Sequence, residues 1–214
     1  MPRRIELELA IVGIALARNW LIGDAEATEH LVREVRRLVE APPDEWYEQP
    51  ARTVAEGYAE WAPSYDDAVN PILQLEAPFT ADLLGTLAPG TALDAACGTG
   101  RQSFVLAELG HRVVGIDGSP EMLERARSRV PSAEFRVGSL TDLPVESGSF
   151  DLAVCSLALT HLEDPAPAIE ELARAVKPGG RVVISDVHPI WISLGAQAAY
   201  RVAALDERLS PLVP

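Results

Sequence analysis

With 214 residues and a mass of 23.0 kDa, the chain has room for one sizeable domain with an appended segment, not for two full domains. Its 32 acidic residues outnumber 18 basic ones, giving a formal net charge of −14; this argues against a nucleic-acid partner and disfavours anionic membrane surfaces, because phosphate binding needs a basic stripe. Two cysteines, Cys97 and Cys155, cannot by themselves form a disulfide framework or a zinc site, so reduced thiols in a cytoplasmic protein are the expectation.

The opening residues, MPRR followed by LAIVGIALA, imitate a secretory leader. Glu6 and Glu8 interrupt its apolar core, however, and the run ends at Arg18, short of a membrane span. Ile5, Leu7 and Leu9 alternate with the two glutamates as a strand would, whereas the continuation suits a helix. TEHLVREVRRLVEA then sets Leu31, Val35, Leu38 and Val39 on one helical face, with Thr28 as N-cap, until Pro42-Pro43 ends it. The next tract is rich in aromatics and charge and carries Trp46, Tyr47, Tyr58, Trp61 and Tyr65; Asp66 and Asp67 read as a helix start. Residues 1–75 form an N-terminal helical or lid segment.

From about residue 76 the pattern changes, and residues 76–214 read as an α/β domain. TALDAA, HRVVGID, AEFRVG, FDLAVCSLAL and GRVVISD are short, mostly apolar runs that predict strands. RQSFVLAELG, SPEMLERARSRV and PAPAIEELARAVKPGG lie between them with helical spacing and end at glycine or proline. Apolar strands alternating with helices of this length predict a Rossmann-like, doubly wound, mostly parallel sheet covered on both faces.

In such a sheet, ligands bind at the carboxyl ends of the strands. ALDAACGTGRQSF sits at the end of the first strand of this domain. Gly98 and Gly100 allow backbone angles and a close approach that a β-carbon would block, and a helix starting near Arg101 offers unpaired N–H groups. The second strand ends in Asp117, nineteen residues after Gly98, where a carboxylate can accept both hydroxyls of a ribose. A dinucleotide fingerprint would place a third glycine where Ser103 stands. Asp94, four residues before Gly98, is poorly placed beside a pyrophosphate but well placed for an ammonium group. An adenosine ligand with an amine and no phosphate fits this pattern.

LDAACGTG resembles motif I of class I S-adenosylmethionine-dependent methyltransferases, which usually carry glycine at the position of Ala96. GHRVVGIDGSPEMLERAR is similar to their second motif. AEFRVGSLTDLPVESGSFDLAVCSLALTHLEDP and EELARAVKPGGRVVISD resemble the following strands in the small-molecule group called type 11, so the likeness runs over residues 54–190. It implies S-adenosyl-L-methionine as cofactor. Asp94, Ala96, Cys97 and the Gly98–Gly100 backbone would hold the methionine end, and Asp117 the ribose. Gly118 and Met122 would lie against adenine, Ser156 and Leu157 beside the methyl group, and Tyr65 near the sulfonium. Relatives often carry an acid for the adenine amino group where this chain has Ser139, with Leu140 beside it; either Ser139 serves or Asp142 substitutes.

The acceptor implied is a small molecule, with oxygen, nitrogen and carbon nucleophiles all open. His161 and His188 follow the fourth and fifth strands of the domain and are the candidate general bases, each set against a packing role. His111 and His30 read as structural or solvated, and the two cysteines as packing residues. After Asp186 the family's final strand hairpin is not recognisable; the rest reads as one helix and a tail. That would leave a sheet edge for the N-terminal segment or a second copy in a homodimer to cover, and it leaves open a truncated or non-catalytic protein of the same fold. A nicotinamide-dependent oxidoreductase is the third reading, without an identifiable hydride-transfer site.

Overall fold

A computed structural model of the chain describes residues 25–41, 51–66, 71–188, 200–202 and 207–211, with single positions at 9, 12, 13, 15 and 16. Ile5, Leu7, Pro42-Pro43, Trp46, Tyr47 and Asp67, all named above, lie outside the described residues. Contacts divide the chain into two units, residues 1–50 with 190–196, and residues 51–189 with 197–214.

In the first unit, helix α1 spans Ala25–Glu40. It starts three residues before Thr28, because Ala25 and Ala27 are strong helix formers and Glu26 suits the positive end of the helix dipole. Leu31 and Val35 are half-buried and Leu38 is fully buried, which gives the expected stripe. Val39 departs from the expectation: it lies at the margin of that stripe and is 62% exposed.

The second unit opens with β1 (Ala51–Arg52) and α2 (Val54–Trp61). Thr53 and Glu56 form a reciprocal cap at the start of α2, in which the Glu56 N–H donates to Thr53 Oγ1 and the Thr53 N–H to Glu56 Oε2. Helix α3 (Pro71–Gly85) precedes the main sheet. The alternation then runs β2 (Thr91–Ala95), α4 (Arg101–Glu108), β3 (Arg112–Asp117), α5 (Pro120–Arg129), β4 (Glu134–Val137), β5 (Phe150–Ser156), α6 (Ala166–Ala175) and β6 (Val176–Ser185). These five strands pair in parallel in the order β4-β3-β2-β5-β6. The chain winds outward from β2 in one direction and resumes at β5 in the other, so the crevice beside β2 is the topological switch point. VKPGG, read above as the end of a helix, instead opens β6 across a register shift between Phe150 and Leu152.

Alternate residues of the strands face opposite layers. Leu93, Ala95, Phe150, Ala153 and Cys155 pack with Leu172 and Ala175 of α6. Ala92, Leu152 and Val154 pack with Leu84 of α3 and Leu106 of α4. A leucine buried this completely contributes about 1.5–3 kcal/mol.

The expectation of no strand pair after Asp186 is overturned. Tyr200–Val202 (β7) and Glu207–Pro211 (β8) pair antiparallel, and β8 pairs in parallel with β1. The hairpin therefore stands in a separate three-stranded sheet, β1-β8-β7, and not beside β6. Strands of three and five residues are too short for a period-two pattern to register in a sequence. Among the described residues, β6 remains the outer strand of the main sheet.

Candidate functional site

The turn after β2 is built from unusual backbone. Ala96, Gly98 and Gly100 all take positive φ, at 58°, 53° and 80°. At Gly100 a β-carbon would lie 3.1 Å from Ala126 in α5, so only glycine lets α4 start there. At Gly98 a β-carbon would meet nothing within 4 Å, which leaves open space directly against the main chain. Ala96 holds the left-handed conformation without glycine's freedom, a strain of about 1–2 kcal/mol. Ala96→Gly is therefore expected to stabilise the protein by about 0.5–1 kcal/mol, after glycine's own entropic cost, as read from denaturant unfolding. A loss of stability would show that the alanine methyl has packing value that outweighs the strain.

Two acids frame this turn. Asp94, inside β2, is buried and accepts a hydrogen bond from Ser103 Oγ at 2.6 Å. Burial pushes its carboxyl up to about 7, against the opposing effect of Ser103. Asp117, the last residue of β3, accepts from the Gly98 N–H at 2.7 Å through Oδ2 and from the Ser119 N–H at 2.9 Å through Oδ1. Burial raises its pKa too, while these N–H donors work the other way. Each Asp117 oxygen keeps a lone pair for a further donor.

Both acids line one cavity of about 790 Å³ at the carboxyl ends of β2 to β5. Tyr65, Ala96, Cys97, Gly98, Gly118, Met122, Ser139, Leu140, Ser156, Leu157 and His161 share its wall. Gly100 lies behind the wall, shaping the turn. His188 is exposed and is not part of the lining. Of the two residues considered for the adenine amine, Ser139 faces the cavity and Asp142 does not; Ser139 Oγ also lies 2.9 Å from Thr141 Oγ1 and accepts from the Thr141 N–H. Leu157 takes a positive φ of 56°, a conformation a leucine holds only where its surroundings impose it.

The N-terminal part of this unit forms the facing wall. Tyr58, Trp61 and Tyr65 cluster, with ring centroids 4.8–6.1 Å apart. Tyr58 Oη lies 2.7 Å from His161 Nε2, bridging α2 and the turn after β5. Burial lowers the His161 pKa, and Asp186 opposes that shift. Asp66, read as a helix start, instead anchors the wall: it accepts from Thr99 Oγ1 at 3.0 Å and pairs with Arg129 at 2.8 Å.

Sequence reasoning also missed a polar cluster behind β5 and β6. The Gln102 amide donates to Glu76, Thr80 and Ser156, and Ser185 Oγ donates to Glu76. Glu76 in turn pairs with Arg101 at 2.7 Å. No motif announced Glu76, because it is one acid in an ordinary helical run. The cysteines are buried and free: Cys155 packs with Leu93 and Leu172, and Cys97 with Leu123 and Phe135. The Gly90 N–H donates to His111 Nδ1 at 3.2 Å, which makes that histidine structural.

A family described as "Methyltransferase domain", type 11, matches residues 93–184. The chain is 34% identical over 168 residues to a demethylmenaquinone methyltransferase of Paenarthrobacter aurescens, covering 74% of this chain and 63% of that protein. It is 34% identical over 145 residues to a ubiquinone biosynthesis O-methyltransferase of Xanthomonas oryzae pv. oryzae, covering 64% and 59%. The chain thus spans less than two thirds of the length of these relatives. A solved structure of DhpI in complex with SAM and HEP superposes with a TM-score of 0.58 at 27% identity, covering 73% of this chain and 79% of that one. Residues 93–184, which span most of the five-stranded parallel sheet with its positive-φ turn and paired acids, are thus similar to the type 11 methyltransferase domain family.

Proposed function

We propose that the chain transfers a methyl group from S-adenosyl-L-methionine to a small, largely apolar acceptor bound in the 790 Å³ cavity. The observation that carries this reading is the pair of acids, buried Asp94 and half-buried Asp117, on either side of a glycine turn in that one cavity. Asp117 would hold the ribose hydroxyls on its remaining lone pairs, and Asp94 the α-ammonium. Gly98 would leave room for the methionine chain, Met122 and Gly118 would lie against adenine, and Ser139 would meet its amino group. Tyr65 supplies an aromatic face suited to a cationic sulfur.

The same donors and acceptors do not fit a dinucleotide. Among the described residues Arg101 is the only lysine or arginine in the lining, and Glu76 already pairs with it at 2.7 Å. A pyrophosphate would bring negative charge against both acids.

S-adenosylmethionine supplies a methyl group already activated by positive sulfur. What the protein must add is alignment and exclusion of water, worth roughly 7–11 kcal/mol when well arranged. Tyr58 and Tyr65, on the cavity wall, would serve that purpose. Val54, Ala55, Leu73, Leu157 and Leu162 give the rest of the wall its apolar character, which suits an acceptor with an aromatic or aliphatic body. The quinone-pathway names of the two relatives support the same class. For a part in proton removal we favour His161, on the cavity wall, over exposed His188.

Titration calorimetry with S-adenosylmethionine, S-adenosylhomocysteine and NAD tests the reading. Micromolar binding of the first two, and none of NAD, is the expected result. Preference for NAD, or no binding of either sulfur nucleoside, would overturn it.

A further inference from the structure

His161 lines the cavity, yet neither of its ring nitrogens is free to meet an acceptor there. Nε2 is engaged by Tyr58 Oη at 2.7 Å. Nδ1 has no partner among the described residues and is sealed from solvent. The phenol of Tyr58, by contrast, lies on the cavity wall, and the two rings meet edge-on at a centroid distance of 5.3 Å. We propose that Tyr58 is the group that contacts the methyl acceptor, and that it relays the acceptor's proton to His161 Nε2.

This inference rests on the methyl-transfer reading. In the relay's resting state Tyr58 O–H would donate to Nε2, with the imidazole proton on Nδ1. An acceptor X–H donates to Tyr58 Oη. As the X–H bond breaks, its proton joins Tyr58 oxygen, and Tyr58's own proton passes to Nε2. The electron pair left on X forms the bond to the methyl carbon, and the carbon–sulfur pair stays on sulfur. Tyr58 ends neutral, His161 ends as imidazolium, and the sulfonium charge is gone, so charge and atoms balance.

The surroundings favour this division of labour. Burial, reinforced by Tyr65, Asp117 and Asp186, drives the Tyr58 pKa far up. A free tyrosinate is therefore disfavoured, which suits a relay that passes the proton on in one motion. The titratable groups acting on the pair come from several elements: Asp117 at the end of β3, Tyr65 beyond α2, and Asp186 beyond β6. Asp186 is the carboxylate acting on His161, and it is positioned to offset the imidazolium charge once formed.

Long-range proton–nitrogen spectra of the 15N-labelled protein bound to S-adenosylhomocysteine test the relay without an acceptor in hand. Four histidines are present, and the signal lost in His161→Gln identifies the one in question. The expected pattern is protonated Nδ1 with unprotonated Nε2, reverting toward the Nε2–H tautomer in Tyr58→Phe. Protonated Nε2 at that histidine in the unmodified protein overturns the relay. An unchanged tautomer in folded Tyr58→Phe overturns it as well. If S-adenosylhomocysteine binds and the tautomer is wrong, the relay fails alone; if it does not bind, the methyl-transfer reading fails first.

Discussion

Replacing Asp117 with alanine is expected to weaken S-adenosylhomocysteine binding at least tenfold, a loss on the order of 1.4 kcal/mol or more. The carboxylate already holds the Gly98 and Ser119 N–H groups, so its orientation is fixed before a ligand arrives. Each hydrogen bond from a ribose hydroxyl to such a preset charge is worth about 1.5–3 kcal/mol, which makes tenfold a lower bound for losing two. The substitution also releases the Gly98 N–H, loosening the turn that must lie against the methionine chain. Asp117→Asn separates the contributions: it retains one acceptor oxygen but turns the other position into a donor, and an intermediate loss is expected. Calorimetry on variants shown to be folded by thermal melting reads both. An unchanged affinity in folded Asp117→Ala would mean that the ribose lies elsewhere.

The parts of this site that were legible in the sequence are those fixed by local backbone chemistry. Asp94, Gly98, Gly100 and Asp117 stand at spacings that a strand, a tight turn and a second strand impose, so their convergence followed from the order of elements. The three inner strands, β2, β3 and β5, were readable for a similar reason, since burial on both faces writes a near-continuous apolar run. The 103-residue separation of Tyr58 and His161 has no such signature. Nothing in EGYAEW states that its tyrosine will meet an imidazole from LTHLED, and only docking of α2 over the sheet's edge makes the pair. Glu76 and Asp66 were missed on the same grounds: isolated acids acquire meaning from partners that fold onto them. The β7–β8 hairpin was missed because its strands are too short to carry a period, and their partner is the two-residue β1.

Lowering the pH from 7 to 5 is expected to weaken S-adenosylhomocysteine binding by about tenfold per unit, with little change above about pH 7.5. The cause is Asp94. Burial holds its carboxyl at about 7 in the ligand-free protein, whereas an unfolded aspartate titrates near 3.9. An α-ammonium beside it needs the ionised form, so ligand binding below pH 7 must first expel a proton. Calorimetry in buffers of different ionisation enthalpy would register that release directly. The same shift has an opposite consequence for folding. A group whose pKa is raised on folding contributes stability that is complete below the unfolded value and is lost as pH climbs through the folded one. Ligand-free stability should therefore decline between about pH 4 and pH 7, by a total on the order of 3–4 kcal/mol from this residue. Asp94→Asn can still accept from Ser103 but cannot ionise. It should flatten both profiles, raising the ligand-free melting temperature at pH 8 by roughly 5–10 °C while weakening ligand binding at that pH. His161 titrates below its ordinary range and could contribute to the acid limb, which makes the flattening in Asp94→Asn the deciding observation. If that variant kept the full pH dependence of binding, the ammonium would have to be held by another group, and the burial of Asp94 would need a purely structural explanation.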